Sequence, residues 1–301
     1  MTARSKCSLS ESGDAMPNEM RITRALKIAV LFWLLAWLIK ARFLVSFFAS
    51  VCTRYPLSYD FFPSVASSPW VSLVAYFAPC AAAGIVLISQ SRRVRTMAVS
   101  TLVVCSALLC VHQNAYNDAT FVTSFWAGLW LLWLSTRDPE NAESVGLYGP
   151  VLAQAIVSLM FLGGAIGKLT PEYWSGEAFY HLYFLQKASG VYPWLREAVS
   201  DATLRWLAGG FAKTVIVAEL CVGGCFLLSS RTTLWLSVFT MAGVVAISTS
   251  LLFSVMGSLI GISLAGIMLS RLTQPGPATA CSARDEPARD EPARSAVATR
   301  C

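Results

Sequence analysis

Between residues 25 and 270 this chain is a succession of apolar runs, several of them close to the roughly 20 residues a helix needs to cross a hydrocarbon layer about 30 Å thick. Inside a bilayer every backbone N–H and C=O must find its partner within the protein, which leaves two solutions, the helix and the closed β-barrel. A barrel strand alternates apolar and polar residues, whereas these runs are apolar on every face. With 55% hydrophobic and 13% charged residues and a mean hydropathy of +0.58, the expected fold class is all-α: a polytopic integral membrane helical bundle of about eight spans.

The spans are expected at 25–48, 70–89, 95–112, 118–136, 148–168, 206–228, 233–250 and 253–270. The last two divide one apolar tract, 233–270, at Ser248-Thr249-Ser250. The cations sort by side. Arg4, Lys6, Arg21, Arg24 and Lys27 precede the first span, Arg92, Arg93 and Arg95 follow the second, Arg137 the fourth and Arg231 the sixth, and Arg271 opens the tail. The opposite side holds only Arg54, Lys187, Arg196 and Arg205. An excess of Lys and Arg marks the cytoplasmic face, so the expectation is a multi-pass protein of the plasma (bacterial inner) membrane with both termini cytoplasmic. The Arg92-Arg93-Val94-Arg95 cluster reads as part of that topology signal, with a lipid-specific site as the alternative.

Three regions follow: a polar N-terminus at 1–22 with no removable signal peptide, the bundle at 23–271, and a tail at 272–301. The tail repeats Ala283-Arg-Asp-Glu-Pro287 as Ala288-Arg-Asp-Glu-Pro292, and its lack of apolar bulk predicts disorder. The outer loop at 169–205 opens with Glu172-Tyr-Trp-Ser-Gly-Glu-Ala-Phe-Tyr-His-Leu-Tyr-Phe-Leu185, whose amphipathic rings favour the headgroup boundary; an interfacial helix capping the bundle is expected there.

Several functions are disfavoured. The nine cysteines are scattered and there are two histidines, so no zinc, haem or iron–sulfur spacing arises, and no metal site is expected. Cys221 and Cys225 flank Gly223 and Gly224 and read as small packing residues. No glycine-rich phosphate loop appears, and the basic residues follow the topology pattern, which speaks against nucleic acid. A solute transporter is disfavoured by the lack of an inverted repeat. The partners expected are membrane lipids.

Ionisable groups inside apolar runs mark function by default, because each costs roughly 3 kcal/mol on insertion scales. Lys168 ends one such run, Lys213 and Glu219 sit in another, and Lys40 and Arg42 lie near the outer end of the first span, where both can also snorkel to headgroups. Between the third and fourth runs is a polar elbow, His112-Gln-Asn114-Ala-Tyr116-Asn-Asp118. Lys213 and Glu219 are six residues apart and face different directions, so the partner of Glu219 is sought on another span, among Lys40, Arg42 and Lys168. A lysine shielded from water gives up its proton readily and then serves as a base.

The run Phe161-Leu-Gly-Gly-Ala-Ile-Gly-Lys-Leu169, followed by Trp174-Ser-Gly-Glu-Ala178, resembles the core motif of the horizontally transferred transmembrane (HTTM) domain, the membrane part of vitamin K-dependent gamma-carboxylases and their bacterial relatives. Glu219, Arg231 and the elbow from Asn114 to Asn117 before a Trp-rich helix recur in the same order, and the resemblance covers about residues 20–270. It implies a membrane site reached by a lipid-soluble quinol, with Lys168 as the base and Glu219 as its support; Trp174, Tyr173, Asn114, Tyr116, Lys213 and Lys40 are the candidate ligand-binding residues around them. The chain departs from the family in having no histidine within 233–270 and a polar tail where the family carries a large extracytoplasmic domain, so protein carboxylation is not expected of these residues. The alternative is a non-catalytic membrane scaffold or an immunity-like protein.

Overall fold

The computed structural model describes residues 18–47, 68–111, 119–185, 191–247 and 250–273. The N-terminus, the elbow with His112, Asn114 and Tyr116, Arg54, Lys187 and the tail from 274 lie outside the described residues, as does the Arg42 side chain. Among the described residues every element is helical. The first five helices are α1 (Asn18–Phe47), α2 (Pro69–Ile88), α3 (Arg92–Val111), α4 (Ala119–Ser135) and α5 (Ala142–Gly167). Short pieces follow: α6 (Pro171–Trp174), α7 (Glu177–Phe179), a π-helical run at Tyr180–Leu185, and α8 (Tyr192–Ala198). The long helices α9 (Asp201–Gly224), α10 (Ser230–Ile247) and α11 (Ser250–Leu269) complete the order.

Length and composition make five segments able to cross a membrane: Asn18–Lys40, Arg92–Cys110, Pro139–Gly167, Asp201–Leu227 and Leu252–Leu269. The apolar parts of α2 and α4 are shorter. The helices α1, α5 and α9 begin several residues ahead of the apolar runs, because polar residues there favour a helix start. Ser200 accepts a hydrogen bond from the Thr203 N–H, and Glu19, Glu143 and Asp201 place negative charge in the first turn, at the positive end of the helix dipole.

Helix α11 is the axis of the bundle, packed against α1, α10, α5 and α4. Its glycines permit the approach: a Cβ on Gly261 would sit 2.7 Å from Phe32 Cβ, and one on Gly257 would sit 2.9 Å from Ala36 Cβ. Trp33, Trp37 and Tyr76 stack at 4.5 and 5.5 Å between centroids. Their polar atoms find backbone partners, Trp33 Nε1 donating to Ser124 O (3.0 Å), Trp37 Nε1 to Tyr76 O (2.9 Å) and the Tyr76 hydroxyl to Trp37 O (2.8 Å). Buried rings with satisfied handles fix the rotation of α1 against α2 and α4.

At mid-length of α5, Gln154 Nε2 donates to Phe226 O, Leu228 O and Thr233 Oγ1 at 3.0 to 3.1 Å, holding the turn between α9 and α10. Gln154→Leu keeps the volume and removes the donor, so the variant is expected to lose about 1 kcal/mol of stability, the cost of leaving two part-buried carbonyls and the Thr233 hydroxyl without this partner. Denaturation in detergent measures the loss.

The outer loop is not one interfacial helix. Gly176, at φ 88°, breaks it between Trp174 and Glu177, and the turn lies so close to α9 that a Cβ there would be 2.4 Å from Gly209 N. Phe179, Tyr180, Phe184 and Tyr192 then form a small core of their own with Leu204, Ala208 and Ala212, which recur every fourth residue along α9. Tyr180 donates to Asp201, and Arg205 bonds both Asp201 (3.1 Å) and Glu177 (3.3 Å), tying this cap to the start of α9.

Candidate functional site

Helices α5 and α9 are offset. Gly164 faces Glu219, and Gly223 faces Leu162, so the first half of α9 projects past the end of α5 and carries the cap. Lys168 is the C-cap of α5, at φ −97° and ψ −2°, and its side chain folds back along the last turn. There Nζ donates to Gly164 O (3.2 Å) and to both Glu219 oxygens (2.8 Å each). The two side chains keep 27% and 16% of their surface exposed, so the charges are shielded from water without being sealed off. Gly164 lies against the pair: a Cβ at that position would be 3.4 to 3.5 Å from the carboxylate, in ordinary contact with it.

The pair stands on the wall of a cavity of about 550 Å³. Helix α11 supplies Val255, Met256 and Leu259, α4 supplies Ala119, Val122 and Thr123, and α5 supplies the stretch from Leu159 to Lys168. The lining is apolar apart from the ion pair and Thr123, whose hydroxyl is engaged with Ala119 O and Val255 O at 2.9 Å each. An apolar chamber with one charged patch is chemically complementary to a lipophilic molecule bearing one polar, hydrogen-bonding group.

Of the residues expected from the sequence, the structure brings together Lys168, Glu219 and Tyr173. The Tyr173 ring lies 6.0 Å from Lys168 Nζ, on the cap side of the pair. Burial holds its phenol above the ordinary range, with Tyr183 and the Glu219 carboxylate adding to the shift; burial does the same for Tyr183. The neutral Tyr173 phenol therefore lies on the cap side of the pair at physiological pH. Lys213 and Trp174 meet each other instead, the ammonium 5.7 Å from the ring, on an exposed part of the surface away from the cavity lining. Lys40, partly buried on α1, does not line the cavity either.

The sequence reasoning missed the walls that α4 and α11 contribute, whose residues look like any others in an apolar run. It also read Gly163, Gly164 and Gly167 as one motif, although they do different work: only Gly164 has the carboxylate against it, and nothing lies within 4 Å of a Cβ built on the other two. Among the described residues no cluster of His, Cys, Asp or Glu could hold a metal ion. No family model matches the chain, and neither a curated protein nor a solved structure does.

Proposed function

We propose that this protein is a multi-span membrane protein of the HTTM type that holds a lipid-soluble quinol in the cavity beside Lys168, with the Lys168–Glu219 pair as its proton-handling group. The observation that carries the reading is the ion pair on the wall of an otherwise apolar chamber. The residues fit such a ligand: the volume suits one ring system, the walls are aliphatic and aromatic, and a polar group at the ring edge would meet the pair. A quinol, when bound, supplies an acidic hydroxyl. With one ammonium proton passed to Glu219, Lys168 Nζ would be the atom that accepts the proton of that hydroxyl, an N–H bond forming as the O–H bond breaks, and the resulting ammonium would stand beside the oxygen. The neutral phenol of Tyr173 is a further hydrogen-bonding group on the cap side.

The cation pattern supports an orientation with Arg92, Arg137, Arg271 and both termini on the cytoplasmic side of a plasma (bacterial inner) membrane, about eight spans, and the cavity toward the outer leaflet. One observation favours a second reading. The Lys168 ammonium spends its hydrogen bonds on Glu219 and Gly164, which suits a clasp between α5 and α9 in a non-catalytic scaffold.

Mass spectrometry of protein extracted in mild detergent separates the two, with a co-purifying quinone expected under the first and none under the second. Lys168→Arg keeps the charge and the pairing with Glu219 but cannot release a proton. It is expected to retain the quinone and the fold while abolishing deprotonation of added hydroquinone, read as the absorbance of the bound anion. An unchanged anion band in Lys168→Arg rules out Lys168 as the base.

A further inference from the structure

Gly163 and Gly167 occupy one face of α5 a single helical turn apart, border the cavity, and have nothing within 4 Å of the Cβ position. A glycine inside a helix costs about 1 kcal/mol relative to alanine. At Gly223, where a Cβ would lie 2.5 Å from Leu162, and at Gly261 against Phe32, close packing offsets that cost; Gly84, Gly210, Gly224 and Gly243 face open space as Gly163 and Gly167 do, but none of those four borders the cavity. No neighbour requires the absence of a side chain at Gly163 or Gly167. What the two residues keep clear is space.

That space opens to the side of the bundle. Leu159, which also lines the cavity, is 58% exposed on the outer surface, and Ala119, Gly163 and Gly167 are exposed with it, whereas Phe161, Thr123 and Leu259 on the inner walls are buried. Helix α11 packs along both α4 and α5 and forms the back of the chamber, while α4 and α5 touch each other less. The hydrogen bond that joins them, Trp130 Nε1 to Gly149 O, is 14 residues down α5 from Gly163, about 20 Å along the helix. At cavity level the two helices are therefore parted on the lipid-facing side, which Leu152, Ile166 and Trp126 continue as exposed apolar surface.

From this we infer that the rift between α4 and α5 is a lateral portal through which the ligand enters from the bilayer, and that the ligand is a tailed amphiphile whose ring sits at the ion pair while its hydrocarbon chain stays in the rift beside Gly163 and Gly167. The inference rests on the reading of the cavity as a ligand site. The chamber has the volume of a drug-sized pocket, room for a headgroup and not for a long chain as well, and the apolar rim continues the surface on which such a chain already lies.

The test compares two probes on detergent-solubilised protein: a para-quinone with a polyprenyl tail and the same ring without one. Gly163→Phe places its Cβ where nothing lies within 4 Å and replaces a helical glycine, so its thermal midpoint is expected to match or exceed that of the parent. Its affinity for the tailed probe is expected to fall about tenfold or more, with the tailless probe changed by less than about twofold. Should the phenylalanine variant not fold, Gly163→Leu carries the same test, and Gly210→Phe on α9, also in open space, is the control expected to leave both probes unaffected. Unchanged binding of the tailed probe overturns the portal, and so does an equal loss of both probes, which would mean that the substitution blocks the chamber itself. If neither probe binds the parent protein, the ligand-site reading falls and the portal with it.

Discussion

Lys168→Met is expected to destabilise the protein by about 3 kcal/mol, and Lys168→Met with Glu219→Met to recover most of that loss. In the single variant the Glu219 side chain, 16% exposed and facing Gly164, loses its main hydrogen-bond donor. Removing one member of a shielded ion pair costs more than removing both, because the survivor is left desolvated without compensation. The double variant puts two flexible apolar side chains of similar volume where the pair stood, which a chamber of this lining accepts. A double-mutant cycle from denaturation in detergent gives the coupling directly, and additive losses would show that the two charges do not depend on each other. Both variants are expected to lose the bound quinone, so stability and ligand retention part company in the double variant alone.

Gly176→Ala is expected to cost more than about 3 kcal/mol and to detach the cap from α9. Two penalties coincide. At φ 88° a side chain is strained by its own backbone, and the new Cβ would stand 2.4 Å from Gly209 N and 2.5 Å from Gly209 Cα, backbone atoms of a regular helix that cannot swing aside. Gly209→Ala is the milder comparison, since its Cβ would meet Ser175 O at 3.3 Å, and Gly210→Ala, facing open space, is expected to stabilise by a few tenths to about 1 kcal/mol. Limited proteolysis within the cap, with the bundle still intact by circular dichroism, would report the detachment. Wild-type protease resistance in Gly176→Ala would contradict the close approach of the turn to α9.

The helical class was legible because apolar runs this long leave the backbone few choices; they did not fix the division of the 233–270 tract, which the structure places between Ile247 and Ser250. Helix starts were less legible, since Ser200 and Asp201 look like loop residues until the cap they form is recognised. The pairing of Glu219 with Lys168 was half legible: helical geometry excluded Lys213 and pointed to another span, and three-dimensional offset made the choice among Lys40, Arg42 and Lys168. The chamber was illegible for a physical reason. A wall is made by what neighbouring helices fail to fill, and nothing in the letters of Val255, Met256 or Val122 distinguishes a side chain that borders a void from one that meets a partner. The break at Gly176 was in principle readable from Ser175-Gly176, a turn-favouring pair, but amphipathic rings on both sides suggested continuity.

The offset of α9 has a mechanical corollary. This helix is gripped by two separate bodies, the cap around Leu204, Ala208 and Ala212 and the bundle around Val222 and Gly223, with Glu219 just short of the second grip. From Gly209 to Glu219 is about 15 Å of continuous rod. A single rigid helix thus carries at one end the cap with the exposed ring of Trp206 and near the other the carboxylate that neutralises Lys168.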